Sequence, residues 1–256
     1  MSTSPTTATT LLRPRVVVLE VALLAVLYVG YSASRLLASD DRSEALDRAK
    51  DLLGLEQAWH LDVERTVNDW VAAHDVVAVA SSYWYATAHY VVTAAVLAWL
   101  FLRRSGLYGR ARTSLVVASL TGLACYLAVP MAPPRFVEGY TDVLALHSGA
   151  GWWGGDASAP RGLGDLTNEL AAFPSLHAGW ALWVALVLAS AGVGRAWRAA
   201  GYLYALTTAF VVVGTGNHWL LDVVGGWIVV GVAWAAVEAV GGCRRPAAPD
   251  DALLPA

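Results

Sequence analysis

The sequence predicts an all-α fold: a polytopic membrane protein of six transmembrane helices with an added amphipathic helical segment on one side. Three observations carry this. Hydrophobic residues make up 57% of the 256 and charged residues only 14%, against roughly a quarter charged in an average globular chain. The charges cluster, and between the clusters run apolar stretches near the ~20 residues that a helix needs to cross ~30 Å of hydrocarbon. Those stretches are rich in Ala, Val and Leu without strict alternation, whereas a strand of a membrane barrel would be about 10 residues long and alternate in polarity. A net charge of −3 gives no reason to expect nucleic acid as a partner. Cys125, inside an apolar run, and Cys243, beside Arg244 and Arg245, form no disulfide framework. Arginine outnumbers lysine 16 to 1, which with the abundant Ala, Val and Gly suggests a GC-rich coding genome.

Taken in order, residues 1–15 read as a cytoplasmic tail and 16–34 as the first span of a membrane domain covering 16–240. Ser32 and Ser34 have cleavage-site spacing, so a signal peptide is the competing reading of that first segment. Glu20 falls near its inner end, where a carboxylate can snorkel. The segment 40–75 repeats apolar residues three and four apart (Leu46, Ala49, Leu53, then Trp59, Val63, Val67, Trp70) among Asp47, Asp51, Glu56, Asp62, Glu64 and Asp69. That pattern describes amphipathic helices with a solvated acidic face and an anchoring stripe. Further spans are expected at 76–102, 114–131, 173–192, 199–216 and 219–240, followed by a cytoplasmic tail over 241–256. Proline in that tail, and the composition of 1–10, suit disordered ends. With the N-terminus inside, ten of 17 basic residues fall in short inner loops and ends, including Arg103, Arg104, Arg110, Arg112, Arg195 and Arg198. The positive-inside rule therefore places both termini in the cytoplasm and 40–75 and 132–172 outside.

Polar residues near span ends must be satisfied or useful, and three groups share the outer face. The third span ends in Pro133-Pro134-Arg135, the fourth begins Phe173-Pro174-Ser175-Leu176-His177, and the sixth begins Asn217-His218-Trp219-Leu220-Leu221-Asp222. His218 and Asp222, four apart, lie on one helix face, where the carboxylate can fix the imidazole tautomer and leave the other ring nitrogen free to attack. His177 supplies a second imidazole, so that attack and leaving-group protonation can be divided. Arg135 brings a planar guanidinium suited to phosphate oxygens, and the helix opening at Pro174 and Ser175 favours an anion.

The order and spacing of these motifs resemble the type 2 phosphatidic acid phosphatase (PAP2) superfamily of membrane lipid phosphatases and phosphotransferases. Pro-Ser-Leu-His, where lipid phosphatases have Pro-Ser-Gly-His, resembles the branch of inositol phosphorylceramide synthase and its bacterial relatives. The resemblance implies that His218 is the nucleophile forming a phosphohistidine, Asp222 its partner and His177 the acid for the leaving alcohol, with Arg135 and Ser175 binding phosphate. It implies no metal and no cofactor. Lipid phosphatases carry Ser-Arg where this chain has Val211 and Val212, and a lysine where it has Ala128, and both departures resemble the synthase-like branch. The expected substrate is a lipid phosphoester or diphosphate at the outer membrane face, with water or an acceptor alcohol taking the phosphoryl group.

Secondary candidates are His89, an imidazole among the aromatics of the second span, Asn168, nine residues before His177, and Asn217, beside His218. Asn168 resembles bacterial members of the synthase-like branch. The long loop 132–172 sets Trp152 and Trp153 among glycines, which fits either an interfacial lid or a plain surface loop. Three other readings compete with this one. A zinc site at His177, His218 and Asp222 lacks the glutamate of a zincin helix. A proton-relay transporter would need acidic groups deep in several spans, and Glu20 alone does not supply them. A non-catalytic lipid-binding protein has no need of all four central residues.

Overall fold

The computed structural model describes residues 41–153 and 168–243, together with Val18, Glu20 and Ala22. The rest of 1–40, which holds the expected N-terminal tail and first span, residues 154–167 and residues 244–256 of the expected C-terminal tail lie outside the described residues. In chain order the helices are α1 (Arg42–Ala58), α2 (Glu64–Ala72), α3 (Asp75–Arg103), α4 (Ser105–Ala128), the single turn α5 (Val143–Leu146), α6 (Leu176–Ser190), α7 (Arg195–Gly214) and α8 (Leu220–Cys243). No strand forms among the described residues; Met131 and Ala171 make one isolated parallel bridge.

Four helices, α3, α4, α7 and the Leu220–Val240 part of α8, are long and apolar enough to cross a bilayer. α6 is apolar but has only 15 residues, about 22 Å of helix. The sequence expects a longer span there because Phe173 and Pro174 extend the apolar run, but Ser175 caps the helix: its Oγ accepts the Ala178 N–H at 3.3 Å. The outward faces carry large apolar side chains, Val91, Leu206, Ile228 and Val232 each about 60% exposed, more than a soluble surface tolerates in a continuous belt.

A single residue, Arg104, joins α3 to α4, so of the arginines expected in an inner loop Arg103 ends α3 and Arg110 and Arg112 sit on α4. Arg110 pairs with Glu238 at 3.8 Å, and Arg112 pairs with Glu20, whose other oxygen accepts from the Tyr108 hydroxyl at 2.9 Å. Glu20 is thus held by partners rather than by snorkelling alone. At this end of the bundle Leu100, Ala111, Trp183, Val187, Val230 and Trp234 form the main core. Trp183 Nε1 donates to the Ala111 carbonyl at 2.9 Å, as a buried indole must find an acceptor.

The opposite end holds the C-termini of α4 and α7 and the N-termini of α6 and α8. Here α1 and α2 lie across the bundle. Ala132 N–H donates to the Ala45 carbonyl and Arg48 Nη1 to the Pro130 carbonyl, docking α1 on the segment after α4. Asn68, fully buried in α2, donates to the carbonyls of Thr141 and Gly214 and accepts from the Thr141 N–H, tying α2 to α7 and to the loop. The expectation of a wholly solvated acidic face on this segment is corrected: Glu56 and Glu64 are both fully buried, while Leu55, Trp59, Val63 and Trp70 are exposed. Trp153 is likewise no lid residue. It is buried with its Nε1 on the Leu144 carbonyl at 2.9 Å and packs with Tyr85, Ala178 and Val211, whereas Trp152 is exposed.

Candidate active site

Three segments converge on one point. Met131 N–H donates to the Leu170 carbonyl and Ala172 N–H to the Met131 carbonyl, which pairs the chain after α4 with the chain before α6. The turn from α7 to α8 closes the third side. Gly216 makes it possible: its φ is +75°, and a Cβ there would sit 2.7 Å from the Thr141 carbonyl oxygen. The Gly216 carbonyl accepts the Arg135 N–H at 2.9 Å, so the arginine's backbone is tied to the residue two before His218.

His218 is 3% exposed. Its Nδ1 lies 2.8 Å from the Ala172 carbonyl oxygen, which can only accept, so Nδ1 carries the proton and Nε2 keeps its lone pair. Asp222 is the more distant partner at 3.6 Å, an ion-pair separation longer than a hydrogen bond. The sequence assigns tautomer control to Asp222; the structure gives the larger share to a backbone carbonyl 46 residues earlier. Asp222 Oδ2 accepts the Trp219 N–H at 2.8 Å, the reach-back of a third-position carboxylate in a capped helix. Trp219 is itself fully buried, with Nε1 on the Ala132 carbonyl at 2.9 Å.

His177, the second residue of α6, places its ring centroid 5.7 Å from that of His218. Tyr85 stacks on it at 4.4 Å and 18°, and His89 meets it edge-on at 4.1 Å. His89 is therefore in contact with a candidate site residue and is not a remote core histidine. Ser175, fully buried, donates its N–H to the Asp222 carbonyl at 2.9 Å while its hydroxyl oxygen caps α6, so it is a strut between α6 and α8. α8 comes close enough for this because Gly226 has no Cβ; one there would lie 2.1 Å from the Ser175 carbonyl oxygen.

Arg135 Nη1 donates to Asn217 Oδ1 at 2.5 Å, and its Nε lies 3.5 Å from Asp142 Oδ2. Asn217 Nδ2 in turn donates to Thr215 Oγ1 at 2.9 Å, so Asn217 orients the guanidinium. Asn168 is not brought to the imidazoles; its Oδ1 accepts from the Leu170 N–H at 3.1 Å within its own loop. Among the described residues no three His, Cys, Asp or Glu side chains form a metal-binding group.

Arg135→Lys keeps the charge but loses the planar fork that Asn217 aims. A charge-assisted hydrogen bond is worth about 1.5–3 kcal/mol, so kcat/KM is expected to fall roughly 10- to 100-fold. Unchanged kinetics would remove Arg135 from the site.

Sequence reasoning missed Tyr85, the Ala172 carbonyl and the pair Glu56 and Glu64. Tyr85 was legible as the residue one helical turn before His89. A backbone carbonyl has no sequence signature, and the two glutamates find their partners more than 150 residues away.

No curated protein and no solved structure matches the chain. A family model described as the PAP2 superfamily matches residues 50–236, which include His89, Arg135, Asn168, Ser175, His177, Asn217, His218 and Asp222. The chain belongs to the PAP2 superfamily, whose membership suggests a phosphatase-type function.

Proposed function

We propose that this protein cleaves a lipid phosphoester or diphosphate through a phosphohistidine on His218. The carrying observation is that His218 Nδ1 is held by the Ala172 carbonyl, which leaves Nε2 with a free lone pair beside a second imidazole. Nε2 attacks phosphorus, the bond to the leaving oxygen breaks, and protonated His177 gives that oxygen its proton. Neutral His177 then takes a proton from water or an alcohol, which attacks the phosphohistidine and frees the imidazole. Arg135 stabilises the phosphoryl oxygens, and the N-terminus of α6 adds its dipole. The substrate's apolar chains lie in the bilayer.

Transfer to an acceptor alcohol is the second reading. Val211 and Val212, where lipid phosphatases carry Ser-Arg, are buried apolar core here, the feature that resembles the inositol phosphorylceramide synthase-like branch. A panel of lipid phosphates and diphosphates, with and without polyols, separates the two. Free phosphate alone supports the hydrolase, polyol-dependent phospholipid the transferase, and neither product on any substrate overturns both. A chelator is expected to leave turnover intact; full loss restored by one metal would favour a metal-bound hydroxide.

In this proposal the segment 16–34 and α6 complete six spans, the site faces outward, and Trp59 and Trp70 anchor α1 and α2 at the interface. A cysteine at Ser148 is expected to react with an impermeant thiol reagent in intact cells and one at Ser105 not to; the reverse pattern overturns the orientation.

A further inference from the structure

Two carboxylates that the proposed reaction does not use meet the opening turn of α8. Glu56, near the end of α1, and Glu64, the first residue of α2, are each 0% exposed. Glu64 Oε1 accepts the Leu220 N–H and Glu56 Oε1 the Leu221 N–H, both at 2.8 Å. With Asp222 on the Trp219 N–H, three consecutive backbone N–H groups opening α8 each meet a carboxylate. The positive end of the helix dipole favours negative charge there. Three full charges within one turn and out of water would nevertheless repel one another at high cost.

The other oxygen of each glutamate, Oε2, is buried with no hydrogen-bond donor. Leu220 and Leu221 are consecutive, so the two carboxyl groups that accept from their N–H groups are neighbours at the opening of α8. An ionised carboxylate only accepts, but a carboxylic acid donates one hydrogen bond. A single proton between them converts two unsatisfied acceptors into one hydrogen bond and removes one of the three charges.

We propose that Glu56 and Glu64 share one proton and that this carboxyl pair positions the first turn of α8, and with it His218 and Asp222. Its effect on turnover rests on the phosphoryl-transfer reading; the pair itself does not.

Burial pushes both carboxyls above the ordinary carboxylate range, and Asp222 adds repulsion on Glu56, Asp62 on Glu64. The Tyr140 phenol also faces them and is pushed up to about 12, by burial first and then by Glu64 and Glu56, with Arg65 opposing the rise. The folded protein therefore holds a proton at pH values where the unfolded chain has lost it. Stability is greatest below the ordinary carboxylate pKa and falls as pH rises towards the raised folded value.

The test uses the full chain in detergent, with thermal unfolding followed from acidic to alkaline pH beside infrared spectra and turnover. Glutamine at either position keeps an oxygen for its backbone N–H and supplies a permanent donor to the partner Oε2. E56Q and E64Q are each expected to flatten the fall in Tm between the ordinary carboxylate pKa and the raised folded value, and to lack the protonated-carboxyl infrared band expected of the wild type at neutral pH. In E56Q/E64Q two amide NH2 groups face each other, so the double variant should lose more than the two singles summed. E56A should lower kcat by about tenfold or more with KM little changed, and E56Q should recover it. An unchanged slope of Tm over that pH range in both single variants, or no such band in the wild type, overturns the shared proton. Wild-type kcat in E56A and in the double variant overturns the positioning role. If no lipid phosphate is turned over at all, the functional reading fails while the slope and infrared results still decide the pair.

Discussion

His218→Asn is expected to lower turnover by on the order of 10⁴-fold or more while leaving the fold in place. Asparagine can keep a side-chain N–H near the position of Nδ1, so the Ala172 carbonyl, which that nitrogen meets at 2.8 Å, retains a donor. It has no counterpart of Nε2, and the attack on phosphorus is lost. His177→Asn should fall by less with substrates whose leaving group needs no proton. Because the two imidazoles act as one unit, the double variant should lose little beyond His218→Asn alone. Turnover near the wild-type value in His218→Asn would remove His218 from the mechanism.

Gly226→Ala is the second large effect, and it acts through the backbone. The added Cβ would lie 2.1 Å from the Ser175 carbonyl oxygen and 3.0 Å from its carbonyl carbon, with no flexible side chain to yield. Ser175 also donates its N–H to the Asp222 carbonyl and caps α6. Moving α6 away from α8 therefore separates His177 from His218. Overpacking of this kind costs about 1–3 kcal/mol, and a displacement near 1 Å at reacting groups costs roughly 10²-fold in rate. Gly231→Ala, five residues along the same helix with open space at its Cβ, is the control. It should be neutral or stabilising by up to ~1 kcal/mol, since alanine is the better helix former. Equal behaviour of the two variants in Tm and kcat would show that the close approach of α6 and α8 is not required.

The helical membrane character was legible because it depends on composition over long windows. The expected stretch 76–102 became α3 at Asp75–Arg103, and 219–240 became the apolar part of α8. Ends set by single hydrogen bonds were less legible. Ser175 cuts the fourth apolar run to a 15-residue helix, and the break between α3 and α4 shrinks to Arg104. His177, His218, Arg135 and Asp222 were legible as candidates because each sits at a span end, where a polar side chain needs a reason. Glu56 and Glu64 were hidden by their own neighbourhood: among so many acidic residues they read as a solvated face. What distinguishes them is the opening turn of α8, a contact that no local spacing encodes. The sequence offers Asn217 as a candidate only by its place beside His218; in the structure its Oδ1 accepts from Arg135 Nη1 and aims the guanidinium.

The covalent intermediate tests the central claim most directly. Full-length enzyme quenched during turnover of a substrate labelled in its phosphoryl group should carry label that is labile in acid, stable in base and located on His218 by mass spectrometry. His218→Asn should carry none. Turnover without any labelled protein, or label that survives acid and maps to another residue, would contradict the account.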